Sequence, residues 1–324
     1  MTVQVVCLGA INLDLIYRVE NPSPFLALSP HLRVGGEAAV DRATEKRLQE
    51  SLKLHGHLLA KSGGGQAANT AFALARMGIP TALVGRVGQD ADGRFLKQSL
   101  SGVNLEHLVQ AGESGRAYVL VDPQGERTIF VAPNTNDELE EDDIPLEIMH
   151  NAQFVHLTSF AGEGPLRVQQ QVAAKLRETD GPIITLDPGE LYARRGRNAL
   201  GDLLRQVETL LVTEAEWRLL GGPMDCHPDW APPFVLIKRG ARGVRLLLEG
   251  GYQDFPADRL EALANTLGAG DVFAAGYLAG RILGLNPAKA VILAGKAAAH
   301  SLQGTGREAY PDENFLRTNL APLR

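Results

Sequence analysis

Cysteine is scarce, with two in 324 residues. Cys7 sits in the first apolar run and Cys226 in the Gly/Pro-rich stretch GGPMDCHPDWAPP, and neither has a C-x-x-C partner, so there is no disulfide framework. A basic excess is also missing. The net charge is −6, with acids and bases scattered along the chain, which leaves no stripe to neutralise a phosphate backbone and argues against a nucleic-acid partner. No stretch reaches the roughly 18 apolar residues of a membrane span, and MTVQVVCLGAINLD lacks the basic start and long apolar run of a signal peptide, so the cytoplasm is the expected location. Two nucleotide signatures are absent as well: G-x-x-x-x-G-K-[ST] occurs nowhere, and no G-x-G-x-x-G follows the first strand-like run. There is no internal repeat or low-complexity tract. What is there, 44% hydrophobic and 22% charged residues, suits one large soluble α/β domain over residues 1–324.

Short valine- and leucine-rich runs closed by glycine or a polar turn read as buried strands: VQVVCL (3–8), TALVGRVG (81–88), FVHLTSF (154–160), PIITLDPG (182–189), TLLVT (209–213) and FVLIKRG (234–240). Helical patterns such as NTAFALARMG and GPLRVQQQVAAKLRETDG lie between them. Alternating strand and helix predicts a doubly wound, mostly parallel sheet with helices on both faces. One stretch breaks the rhythm: GRAYVLVDPQGERTIFVAP (115–133) has two strand-like runs around the turn DPQG, an antiparallel hairpin and a candidate lid. Residues 15–61 read as an irregular segment or lid strand over about 15–36, followed by a helix with Leu48, Leu52 and Leu58 near helical spacing.

Several motifs have residues suited to chemistry. GAINLD follows the first strand, where ligands collect in parallel sheets; Asn12 and Asp14 there suit the vicinal hydroxyls of a sugar, although a plain turn also explains them. SGGGQAANTAFALARMG puts Gly64 and Gly65 before a helix and Asn69 about one turn inside it, open to a ligand at the helix mouth or simply a flexible loop. In TLLVTEAEWRLLGG, Glu214 and Glu216 fit either a helix first turn or a magnesium ion held through one carboxylate and several waters. KRGARG admits either a nucleotide against its backbone or an ordinary hairpin turn. Most specific is NTLGAGDVFAAG: Gly268, Ala269, Gly270 and Asp271 place backbone N–H groups and a carboxylate at one helix start. A phosphoryl group arriving at a hydroxyl needs that combination, donors for the developing charge and a base for the proton. A helix cap needs only the aspartate.

Together these motifs resemble the ribokinase-like, or PfkB, family of carbohydrate and nucleoside kinases, in order and over nearly the whole chain. GAINLD is similar to its substrate motif G-x-x-N-x-D, SGGGQAANTAFALARMG to its first signature, VGQDADG (87–93) to its V-G-x-D-x-x-G segment, and NTLGAGD to D-T-x-G-A-G-D. The resemblance implies a ribokinase-like sheet with a small β lid, ATP and Mg2+ as cosubstrates, and transfer of the γ-phosphoryl group to a hydroxymethyl oxygen of a small sugar or, alternatively, a nucleoside. It implies Asp271 as the base and the Gly268–Gly270 amides as the anion hole. Asn12, Asp14, Gly64, Gly65 and Asn69 would hold the acceptor. Thr213, Lys238, Gly240, Gly243, Thr266 and Gly295 would frame the nucleotide, Glu216 would serve the metal, and the lid would join a homodimer. Three departures stand out. Asn265 replaces the aspartate that belongs to the cation site of potassium-activated members, so weak or absent potassium activation is expected. Thr213 replaces the asparagine of the N-x-x-E metal motif. Thr158 and Ser159 stand where ribokinases commonly offer a glutamate to the sugar. A catalytically silent sugar sensor on the same fold is the competing class.

Overall fold

The computed structural model describes residues 2–29, 31–178, 181–258, 260 and 268–324. The apolar runs become strands β1 (Val5–Leu8), β5 (Thr81–Val87), β9 (Phe154–Thr158), β10 (Ile183–Asp187), β11 (Thr209–Thr213) and β12 (Phe234–Lys238), with β6 (Leu108–Gln110) at one edge and β13 (Val244–Leu248) and β14 (Gly251–Phe255) at the other. They form a nine-stranded sheet in the order β14-β13-β12-β11-β10-β9-β1-β5-β6. Pairing is parallel from β6 through β12 and antiparallel for the last two ladders. Alternate residues of β1 enter opposite cores: Val5 and Cys7 pack under the helices Gln66–Arg76 and Ala269–Ile282, and Val6 and Leu8 under the helix Glu163–Arg177. Burial on both faces explains why these strands read as continuous apolar runs. Strand order reverses at β1, which has β5 on one side and β9 on the other, and ligands bind outside the carboxyl ends of strands at such a point.

A second, five-stranded sheet, ordered β3-β8-β7-β2-β4, covers that end. Its members are β2 (Asn12–Val19), β3 (Glu37–Ala39), β4 (Gly56–Gly64), β7 (Gly115–Val121) and β8 (Arg127–Ala132). The DPQG hairpin is the antiparallel β7–β8 pair. The expected helix over the N-terminal insert runs from Arg42 to His55 and stops there, so Leu58 lies on β4 and not on the helix. Pairing of β4 along the whole length of β2 outweighs the local helical spacing. No helix among the described residues is long and apolar enough to cross a membrane.

VGQDADG is a structural joint. Asp90 caps the helix Ala91–Gln98 by accepting from Gly93 N at 2.7 Å, and it also accepts from Ser114 N at 2.9 Å and Ser114 Oγ at 2.6 Å. A Cβ on Gly88 would stand 2.3 Å from Ser114 N, so the motif ties the large sheet to the start of β7 through contacts only glycine allows.

Candidate active site

The helix Ala269–Ile282 starts from Gly268, whose left-handed backbone (φ 77°) brings its Cα against Tyr310: a Cβ there would stand 2.3 Å from the phenol oxygen. Asp271 occupies the first turn and is buried. The helix Gln66–Arg76 packs beside it, and Asn69 Nδ2 donates to Asp271 Oδ2 at 2.7 Å while Thr70 Oγ1 donates to the Asp271 carbonyl at 3.3 Å. Burial pushes the Asp271 carboxyl up to about 7, against the Asn69 bond that favours the ionised form; Asp187 and Asp14 add to the rise and Lys238 opposes it. A Cβ on Gly270 would meet Lys238 Nζ at 3.4 Å, so an ammonium group lies beside the first turn of this helix.

A cavity of about 260 Å³ lies between the two sheets, with Asn12, Asp14, Glu37, Gln66, Asn69, Asn136, Ser159, Glu190, Glu216 and Asp271 among its polar walls and Ala117, Val119, Ile129 and Val131 of the small sheet as its apolar wall. Asp14 lines it together with Asn69 and Asp271. Its carboxylate lies against the backbone of Gly64, where a Cβ would come within 2.1 to 2.2 Å of the carboxylate atoms. Burial raises the Asp14 carboxyl to about 7, with Arg307 opposing. Gly65, at φ 93°, caps the helix, and its Cβ would strike the Ala10 carbonyl at 2.3 Å. The three glycines of SGGG therefore leave room mainly for the protein's own atoms. Asn12 accepts from Asn136 Nδ2 at 2.9 Å, and Asn136 also bonds both backbone groups of Ile11, fixing the exit from β1.

Beside Asp271, Lys238 Nζ donates to Asp187 Oδ2 at 2.6 Å. Burial works against this ammonium, but the Asp187 and Glu216 carboxylates outweigh it and hold the lysine above its ordinary value. Gln66 Nε2 reaches Asp187 Oδ1 at 3.3 Å and Gln66 Oε1 accepts from Ser159 Oγ at 3.0 Å, so the cavity and the lysine are joined by one chain of bonds. Glu216 forms a capping box with Thr213, and its carboxyl is raised, first by burial and then by Asp187.

Of the remaining candidates, Gly240 and Gly243 lie in the turn between the antiparallel strands β12 and β13. Gly243, at φ 80°, leaves 1.9 Å between its would-be Cβ and the Phe255 carbonyl, so the hairpin alone requires that glycine. Gly295 is on the helix Pro287–Ser301, where an added Cβ meets open space. Asn265 and Thr266 fall outside the described residues. Sequence reasoning missed Glu37, Gln66, Asn136, Asp187, Glu190 and Arg307; Gln66 lay in the quoted glycine-rich motif, Asp187 at a strand end where a polar residue closing an apolar run was a signal, and Asn136 in the ribokinase-type stretch GERTIFVAPNTNDEL that continues from the lid hairpin.

A family model described as pfkB family carbohydrate kinase matches residues 36–313. An ATP-dependent ribose-1-phosphate kinase of Halopiger xanaduensis is 31% identical over 246 residues, 74% of this chain and 79% of that protein. The structure of adenosine kinase from Sinorhizobium meliloti is similar with a TM-score of 0.84 at 18% identity, covering 99% of this chain and 100% of that one. Arabidopsis thaliana ribokinase complexed with ribose and ATP has a TM-score of 0.77 at 23% identity, with 99% of each chain covered. These two structural likenesses carry the fold, and the family match carries the chemistry. The chain belongs to the pfkB family of carbohydrate kinases, the ribokinase-like sugar and nucleoside kinases, and is a phosphotransferase with an alcohol group as acceptor.

Proposed function

We propose that this protein transfers the γ-phosphoryl group of ATP to a hydroxymethyl oxygen of a small uncharged sugar. The carrying observation is the placement of Asp271 at once in the wall of the cavity and in the first turn of a helix that has the Lys238 ammonium beside Gly270. Asp271 takes the hydroxyl proton, which its pKa near 7 suits at neutral pH. The amides of Gly268–Gly270 receive charge developing on the transferred group, and the Lys238 ammonium adds to them. Asp14 and Asn69 hold the acceptor hydroxyls, with Asn12 fixing the strand exit. Thr213, Gly240, Gly243 and Gly295 frame the nucleotide.

Mg2+ fits this donor set. It is ordinarily held by one or two carboxylates, waters and the substrate phosphates, where it neutralises phosphate charge. Glu216, with Asp187 beside it, supplies such a pair, and among the described residues no closed cage of three ligating side chains exists.

The acceptor's charge follows from the cavity. Asp14, Glu37, Glu190, Glu216 and Asp271 line it, and no lysine or arginine among the described residues does. A phosphorylated sugar would enter against those carboxylates, whereas a neutral polyol donates to them. The apolar wall of Ala117, Val119, Ile129 and Val131 favours a nucleoside as the second reading, since a base needs an apolar face. ADP release with ATP and three pooled panels, neutral sugars, sugar phosphates and nucleosides, tests the assignment. Turnover with the neutral sugars is expected; turnover with sugar phosphates alone would overturn it.

We also propose a homodimer through the small sheet. Its edge strand β4 leaves Leu58 and Leu59, at a bulge in the ladder, 39% and 44% exposed beside a backbone edge that no other described strand pairs, a surface suited to a second copy. Light scattering should give twice the monomer mass; a monomer at micromolar concentration would refute it.

A further inference from the structure

Arg307 belongs to the short turn Arg307–Ala309 and meets Asn69 across 238 positions of sequence. Its Nε donates to Asn69 Oδ1 at 3.0 Å, its Nη1 donates to Ser99 Oγ at 3.0 Å, and its guanidinium lies over the Phe72 ring, 5.4 Å from the centroid. Gly63 leaves the space, since a Cβ there would stand 2.7 Å from Arg307 Nη1. Nη2 is buried with no hydrogen-bond partner among the described residues, so the group is held here at a desolvation cost.

An amide has one accepting end and one donating end, and an arginine only donates. With Arg307 on Asn69 Oδ1, the Nδ2 end has to face Asp271, the 2.7 Å bond observed. Rotated the other way, Asn69 would set its oxygen against a carboxylate. We propose that Arg307 is a positioning residue for phosphoryl transfer: it locks the Asn69 amide so that Nδ2 holds one oxygen of Asp271 and leaves the other for the acceptor hydroxyl. This rests on the reading of Asp271 as the base. The bond from Asn69 also favours the ionised form of Asp271, within a set of charges that includes Asp187, Lys238, Asp14, Arg307 and the Tyr310 hydroxyl.

The test is a double-mutant cycle on the full chain, Arg307→Met, Asn69→Ala and both, read as kcat, the two KM values and the pH profile of kcat, with thermal melts as a folding control. R307M should lower kcat about tenfold, leave the KM for ATP unchanged and move the acid limb upward. In the N69A background it should add no further loss of kcat beyond the small limb shift that removing its charge causes, because its route through the Asn69 amide is gone. R307K, which retains one donor for Asn69 Oδ1, should restore most of the turnover and the acid limb. A wild-type acid limb and kcat in R307M, or a full additional loss on top of N69A, overturns the proposal. If R307M does not fold, the cycle is run with R307K, whose smaller loss must likewise vanish in N69A, and its persistence there overturns the proposal. D271N separates the two readings. Near-normal turnover in D271N removes the base assignment itself, while loss of turnover in D271N with no limb shift in R307M removes only the role of Arg307.

Discussion

Replacing Asp14 with asparagine should stabilise the unliganded protein at alkaline pH while damaging its function. The carboxyl is raised from 3.8 to about 7, chiefly by burial, so the folded state holds a proton that the unfolded chain releases. Stability contributed by that proton is complete below pH 3.8 and is lost as pH rises to about 7. The climb corresponds to about 4 kcal/mol at pH 8, of which about 1.6 kcal/mol is already lost at pH 5. An amide has nearly the same shape, fits against Gly64 as the acid does, and has no charge to bury, but it still loses hydration; the expected gain at pH 8 is about 2–4 kcal/mol. Removing the charge also relaxes Asp271 and Glu37, each of which Asp14 pushes upward, so the indirect effects share that sign. Urea unfolding of both proteins at pH 8 and pH 5 is the measurement, and the variant's advantage should shrink by about 2–3 kcal/mol between them. Its KM for the acceptor should rise about tenfold or more, as expected when a buried polar pairing worth about 1–3 kcal/mol is lost, with little change for ATP. An advantage independent of pH, or a variant less stable at pH 8 than at pH 5 relative to wild type, would refute the reasoning.

D271N should fold and bind nucleotide but lose roughly 10²–10⁴ in kcat; wild-type kcat should fall as pH drops through about 7, since the base must be ionised, and a limb near the ordinary aspartate value would contradict the burial seen here. G64A places a Cβ 2.1 to 2.2 Å from the Asp14 carboxylate atoms, so a loss of about 1–3 kcal/mol in stability and a raised acceptor KM are expected, checked by melting and steady-state kinetics. Amide exchange over residues 115–133, the β7–β8 hairpin that walls the cavity, should slow when acceptor is added, and unchanged exchange would place the acceptor elsewhere.

The strands that could be read from the sequence are those buried on both faces. β1, β5, β9, β10, β11 and β12 are dominated by apolar residues on both faces because helices cover each side, with only a few polar positions such as Arg86, His156 and Thr185 among them. β4 and β14 escaped notice for the opposite reason. GHLLAKSGG is exposed over most of its length and GYQDF is exposed over Tyr252–Asp254, so neither shows the alternation a half-buried strand displays. Their conformation is set by a neighbour, β2 for one and β13 for the other, and a partner distant in sequence leaves no local periodicity.

The site divides along a similar line. Donors that must act on one phosphoryl group have to be consecutive amides at a helix start, so Gly268, Ala269 and Gly270 sit beside Asp271 in sequence and form a motif. The charges that tune that aspartate are under no such constraint. Asp187 and Lys238 arrive at the ends of β10 and β12, Glu37 on β3, and Arg307 from a turn near the end of the chain, each isolated among unrelated neighbours. Glycine partly bridges the two cases, because a missing Cβ marks a crowded place without saying what crowds it. At Gly64 the occupant is the Asp14 carboxylate, at Gly63 the Arg307 guanidinium, and at Gly270 the nearest atom is the Lys238 ammonium nitrogen. The glycine motifs thus mark where the electrostatics of the site converge, and the fold supplies the side chains that fill those places.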